Sequence, residues 1–178
     1  MAQPELTSGE SLSEQDDQSP EQPVTTPADG GDASAQVRLE RLYLKDSSFE
    51  SPNSPGVFRE QWQPEIELEI NNRSHKVAED RYEVILTATV KARQAGERTA
   101  FIVEIQQAAV FHMTGLDDQV THRVLGTVCP NTLFPYVREA LDSLIVRGGF
   151  PPLQLAPVNF DAAYEEALKQ REEPQIKH

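Results

Sequence analysis

The spacing of apolar residues changes once along this chain, and that change restricts its fold more than any other feature. Up to about residue 113 the apolar residues recur at every second position, which is typical of β-strands. From Leu133 onward they recur at intervals of three and four residues, which is typical of an amphipathic helix. Strands followed by helices predict an α+β fold in which the helices pack on one side of a sheet.

Four segments have the spacing of strands. They are residues 37–44, 65–70, 82–91 and 99–113. In the second, Ile66, Leu68 and Ile70 alternate with glutamates, which indicates a half-buried strand with one charged face. Because short connections, including a turn at residues 95–97, join the last three segments, we expect a four-stranded antiparallel meander.

Two helices are predicted after the strands. The first begins near Pro130, which suits a first helical turn, and stops at Gly148 and Gly149. Its apolar stripe comprises Leu133, Val137, Ala140, Leu141, Leu144 and Ile145. The proline-rich residues 150–158 are expected to be extended. The second helix begins near Asn159, a suitable cap, and places Phe160, Tyr164 and Leu168 on one face.

Composition and charge exclude several functions. A chain of 178 residues fits one domain, and its apolar runs are too short to cross a bilayer. Since no basic residue precedes Arg38, we expect no secretory signal and a cytosolic protein. The net charge of −13 argues against nucleic acid and anionic membranes as partners and favours partners with basic segments.

The charge is concentrated at the amino terminus. Residues 1–34 contain eight acidic residues, no Lys or Arg, and few large apolar residues. A segment of this composition cannot bury enough apolar surface to fold, so we predict a disordered acidic extension. It would act either as a regulatory arm or as a passive solubilising leader.

Few residues suggest catalysis. Cys129, near a helix amino terminus, with His122 upstream, is a candidate for a thiol enzyme, although a lone cysteine is more often a small buried apolar residue. The histidines show no metal-ligand spacing and no phosphate-binding glycine motif is present, so we expect no metal and no cofactor. We also expect a long loop at residues 45–62 whose aromatic side chains either fill the core or line an apolar groove.

Several blocks of sequence together resemble one known family. They are YLKDSSFESPN at 43–53, WQPE at 62–65, YEV at 82–84, FIVEIQQ at 101–107, CPNTLFPYVRE at 129–139, RGGFP at 147–151 and LAPVNFD at 155–161. In these blocks the chain resembles the SecB protein-export chaperones from about Arg41 to about Leu168. The resemblance implies a chaperone domain over residues 35–171, followed by a short tail at 172–178.

The resemblance also implies a function and its residues. Family members are non-enzymatic cytosolic homotetramers, assembled as dimers of dimers, that hold unfolded precursor proteins without ATP and deliver them to the SecA ATPase. The SecA-binding surface would comprise Asp46, Glu50, Ile102 and Glu104. The precursor groove would comprise Phe49, Val57, Phe58, Trp62, Leu144 and Phe150. The subunit interface would comprise Val103, Ile105 and Gln107. A thiol enzyme or a plain ligand-binding scaffold are the alternatives.

Overall fold

The computed structural model describes residues 34–94 and 98–172. In this part of the chain the strands β1 (Gln36–Glu50), β2 (Glu65–Ala78), β3 (Arg81–Gln94) and β4 (Arg98–Thr114) precede the helices α1 (Asp118–Gly126), α2 (Val128–Arg147) and α3 (Phe160–Glu172). The predicted α+β order is therefore confirmed. The extension predicted at 1–34, the turn at 95–97 and the tail at 172–178 lie outside the described residues, except for Ser34 and Glu172.

The sheet is antiparallel with the strand order β1-β4-β3-β2. The expected meander is correct for β2, β3 and β4 but wrong for β1, which pairs with β4 from Gln36 opposite Thr114 to Glu50 opposite Ile102. Residues 51–64 connect β1 to β2 across the end of the sheet. Strands lie about 4.8 Å apart, so a connection of this length reaches the opposite edge easily.

Strand β1 is longer than predicted. It continues to Glu50, so Phe49 lies on a strand opposite Val103 and not in the loop expected at residues 45–62. The polar run at residues 45–48 suggested a loop. Here Asp46 and Ser48 occupy the solvent face of a paired strand, while Ser47 and Phe49 point to the core side.

The core lies between the sheet and α2. Leu133, Val137, Leu141 and Ile145 are almost fully buried in one cluster with residues of β3 and β4, which confirms the predicted stripe. Each such side chain contributes about 1.5–3 kcal/mol when fully buried. The helix ends at Gly148, as expected.

Side chains cap the amino termini of α1 and α3. Asn159 Oδ1 accepts a hydrogen bond of 3.0 Å from the Ala162 N–H at the start of α3, which confirms the predicted cap. Helix α1 was not predicted, although Asp117 caps it by accepting a 2.7 Å bond from the Val120 N–H. No helix in the described ranges is both long and apolar enough to cross a bilayer.

Helix α2 does not cover the whole core side of the sheet. Ile66 and Leu68 on the edge strand β2 lie opposite buried Ala92 and Val90, yet they remain 37% and 40% exposed. The prediction of a half-buried strand is thus wrong for these two residues. Apolar residues on β1, including Leu39 and Leu44, are also exposed.

Candidate functional site

An open groove of about 900 Å³ lies between β2 and the helices α1 and α3. We call it the α3 groove. Its apolar lining includes Ile70, Leu125, Phe160 and Leu168, together with the ring of Tyr164. Sequence analysis placed Phe160, Tyr164 and Leu168 on one helical face but assigned none of them to a site.

Two hydrogen-bonding arrangements interrupt this apolar lining. Asn72 Nδ2 donates a 2.9 Å bond to the Leu125 carbonyl, while Asn72 Oδ1 is buried and has no hydrogen-bond partner among the described residues. His122 Nδ1 lies 2.7 Å from Tyr164 Oη. An open, largely apolar groove suits a peptide segment, which supplies apolar side chains.

Close packing and charge position α3 beside the groove. Gly126 on α1 has no side chain where the Tyr164 ring lies, and an added Cβ atom would overlap that ring. Arg123 on α1 also lies 3.6 Å from the carboxylates of Asp161 and Glu165 on α3. These contacts hold α3, which forms one side of the groove, against α1.

The residues expected to form the precursor groove come together elsewhere, as an aromatic cluster around Phe101. Ring centroids of Phe58 and Trp62 lie 5.1 Å and 5.3 Å from that of Phe150, and Phe49 stacks 5.9 Å from Phe101. Val57 and Phe150 are buried, and Phe49, Trp62 and Leu144 pack partly buried against the core. Phe58 is half exposed, so the cluster mainly fills the core and presents this ring to solvent.

The residues expected to bind SecA share the sheet face that points away from α2, which we call the outer face. Asp46 lies opposite Gln106, and the next row pairs Ser48 with Glu104. Glu50 lies opposite Ile102 one row further on. The Glu104 carboxylate accepts hydrogen bonds from Gln106 Nε2 at 3.0 Å and Thr89 Oγ1 at 3.3 Å, which orient it.

A buried carboxylate that sequence analysis missed also lies on the outer face. Glu83 accepts hydrogen bonds from Lys45 Nζ at 2.8 Å and from the Tyr43 hydroxyl, and His75 Nε2 lies 3.1 Å away. Burial acts to raise the pKa of Glu83, but the bonds from Lys45 and Tyr43 and nearby positive charge hold that pKa below its ordinary value. Burial and the Glu83 carboxylate raise the pKa of Tyr43 to about 12.

The environment of Cys129 argues against the thiol-enzyme hypothesis. Burial raises the pKa of its thiol to about 12, so the thiol is protonated at neutral pH. His122, its proposed base, instead bonds Tyr164. Across residues 34–94 and 98–172, no three His, Cys, Asp or Glu side chains lie close enough to hold a metal ion.

The residues expected at the subunit interface lie inside the chain's own core. Val103 and Ile105 are fully buried, Gln107 is nearly so, and all three point to the side of the sheet covered by α2. Their side chains therefore do not form an exposed surface of the single chain.

Comparison with known proteins agrees with this architecture. The family model for the preprotein translocase subunit SecB matches residues 31–171. The protein-export protein SecB of Marinobacter nauticus is 51% identical over 138 residues, which cover 78% of this chain and 83% of the relative. That of Hahella chejuensis is 51% identical over 137 residues, covering 77% and 86%.

A solved structure supports the fold independently. A SecB-like chaperone of Mycobacterium tuberculosis, in complex with a ChAD peptide from the HigA1 antitoxin, superposes with a TM-score of 0.57 at 16% identity. The match covers 69% of this chain and 91% of that one. The family model, the curated relatives and the fold agree, and the chain belongs to the SecB family of protein-export chaperones.

Proposed function

We propose that this chain holds unfolded precursor proteins in the cytosol without ATP, keeps them competent for translocation and delivers them to the SecA ATPase. The α3 groove is the observation that carries this proposal, because it is large, open and mostly apolar. Such a groove accepts many different sequences, as a holding chaperone requires.

The free edge of β2, beside the α3 groove, offers a second way to bind a client. In the described part of the chain β2 pairs only with β3, so its other edge offers free backbone N–H and C=O groups beside the groove. An extended client segment can pair with such an edge through its backbone. Alternate client side chains would then enter the apolar groove, which requires no particular client sequence.

The aromatic cluster supplies a further client contact. Half-exposed Phe58 offers an aromatic surface and packs against Phe150. Phe49, Val57, Trp62 and Leu144 pack in or against the core behind it. The proposed client surface therefore comprises the α3 groove and this cluster. Both bind by apolar contact.

Delivery to SecA would use the outer face. Asp46, Glu50 and Glu104 present carboxylates there, with Ile102 as an apolar contact among them. Individual exposed ion pairs contribute about 0–1 kcal/mol, but several together steer and orient a basic partner. Because none of these four residues lines the α3 groove, the two activities should be separable by mutation.

Assembly into a homotetramer, a dimer of dimers, would use the exposed side of α2. Val128, Tyr136 and Val146 are each about half exposed on this helix and would supply the apolar contacts of such an interface. Val103, Ile105 and Gln107 lie beneath α2. We infer that they affect assembly by setting the position of this helix.

The proposal is tested by comparing three variants in two assays, client holding and SecA binding. Leu168→Asp places a charge in the α3 groove and should weaken client holding, whereas Lys169→Asp introduces the same side chain next to it but outside the groove lining. Asp46→Ala with Glu104→Lys should instead weaken SecA binding and leave holding unchanged. If Leu168→Asp has no more effect on holding than Lys169→Asp, the groove is not the client site and the scaffold alternative gains support.

A further inference from the structure

The outer face is divided by charge. The strand register places acidic residues towards one end of this face and basic residues towards the other. The acidic half comprises Asp46, Glu50, Glu65, Glu67, Glu69 and Glu104. It also contains the basic residues Lys91 and Arg93, so it is acidic in net charge only. The basic half comprises Arg38, Arg41, Lys45, Arg73 and Arg81.

Ion pairs reduce the charge of the basic half only in part. Its two carboxylates are shared, since Glu40 pairs with both Arg38 and Arg81 and Glu83 pairs with Lys45 and His75. Within residues 34–94 and 98–172, Arg41 and Arg73 form no ion pair, so this half retains net positive charge.

The acidic half extends beyond the strands on which the SecA-binding residues were expected. Glu104 on β4 lies opposite Thr89 on β3, which lies opposite Glu69 on the edge strand β2. These residues line a concavity of about 320 Å³. Its border with the basic half is Arg73, on the same face of β2 and also in the lining.

Within the described residues, Glu69 differs from its neighbour Glu67 because its carboxylate has no ion-pair partner. Arg93 Nη2 lies 2.9 Å from Glu67 and neutralises it. Considering only the described residues, neither Glu69 nor Glu104 forms an ion pair, and Glu104 is oriented by Thr89 and Gln106. A Lys or Arg side chain placed between them would find two carboxylates and the Thr89 hydroxyl within one polar recess.

We propose that the partner-docking surface continues across the sheet to Glu69, and that Arg73 marks the end of the area on which a basic segment of the partner can lie. The inference rests on the proposed function in taking SecA as that partner. Attraction at Glu69 and repulsion at Arg73 would together set the position of the bound segment. A segment displaced towards Arg73 would bring its own basic side chains against a like charge, which is unfavourable.

The test measures the dissociation constant of purified SecA and the full chain at two salt concentrations. Glu69→Lys should weaken binding about threefold or more at low salt and less at high salt, since salt screens exposed charges. Glu166→Lys, an equal charge change on the exposed side of α3, should have little effect. Arg73→Glu should strengthen binding about threefold, because attraction replaces repulsion.

The outcomes separate this inference from the proposed function. If Glu104→Lys weakens SecA binding but Glu69→Lys and Glu69→Gln do not, the docking surface ends at β4 and the inference is wrong while the proposed docking stands. If Arg73→Glu weakens binding or leaves it unchanged, Arg73 is not the border. If Glu104→Lys is itself without effect, the proposed docking face fails. Melting curves establish whether each variant is folded. If Glu69→Lys does not fold, Glu69→Gln takes its place in the test.

Discussion

His122 Nδ1 on α1 lies 2.7 Å from Tyr164 Oη on α3, and the Tyr164 ring fills the space beside Gly126. The two helices are thus joined by a hydrogen bond and a close packing contact, in addition to the ion pairs of Arg123 on α1 with α3. Because Tyr164 and Leu168 line the α3 groove, this contact links the position of α3 to the shape of the proposed client site.

Substitution of Gly126 tests that link. Gly126→Ala should destabilise the chain by about 1–3 kcal/mol, because the added methyl group displaces the Tyr164 ring. Urea denaturation measures the free energy of unfolding. Gly56→Ala is the matched control, since an added Cβ at Gly56 meets no atom within 4 Å. Equal stabilities of the two variants would show that Tyr164 moves aside without loss.

The Glu83 network predicts a pH dependence of stability. The folded-state pKa of Glu83 lies below its ordinary value of 4.5, so its contribution is present above that pH and is lost as the pH falls through the folded-state pKa. Glu83→Gln should therefore cost about 1–3 kcal/mol at pH 7, and the difference from wild type should shrink below about pH 4.5. Denaturation at several pH values measures this. A constant difference across the range, or one equal to that of the exposed control Glu79→Gln, would contradict it.

The buried thiol should be structural. Cys129→Ala should lower the free energy of unfolding by about 1 kcal/mol through lost packing and leave client holding unchanged. Thiol-specific alkylation of the folded chain should be slow compared with the urea-unfolded chain. Rapid alkylation of folded protein, or loss of holding in a folded Cys129→Ala variant, would restore the thiol-enzyme hypothesis.

Assembly is tested by solution mass. Light scattering after gel filtration should give about four times the chain mass of 19.9 kDa at micromolar concentration. Val146→Asp on the exposed side of α2 should reduce that mass, because it buries a charge in the proposed interface. Val77→Asp, at an equally exposed valine near the end of β2, is the control. A monomeric wild-type chain would contradict the proposed assembly.

The sequence predicted the elements with strong periodicity and missed those that depend on long-range pairing. The stripe from Leu133 to Ile145 identified α2 because its period is local. Nothing local showed that β1 pairs with β4, because that choice depends on contacts between residues far apart in the chain. Helix α1 has only nine residues and buries only Leu125, so its clearest signal was the cap at Asp117.

The site residues were also predictable to different degrees, because some depend on local sequence and others on contacts between distant parts of the chain. The resemblance named Asp46 and Glu104, and the register places them on one face. Glu69 and Glu83 join that face through the registers of the β2–β3 and β3–β4 pairs, which the predicted meander does not specify. The α3 groove depends on how α1 and α3 approach β2, and its polar member Asn72 carries no motif.

The most direct test of the central claim is equilibrium binding of one client in two states. The full-length chain is titrated, without nucleotide, with a small disulfide-bonded protein kept either folded or permanently unfolded by reduction and carboxymethylation. The account predicts saturable binding of the unfolded form, weakened by Leu168→Asp, and no measurable binding of the folded form. Equal affinity for both forms, or no binding of the unfolded form, would contradict the proposal that this chain is a holding chaperone.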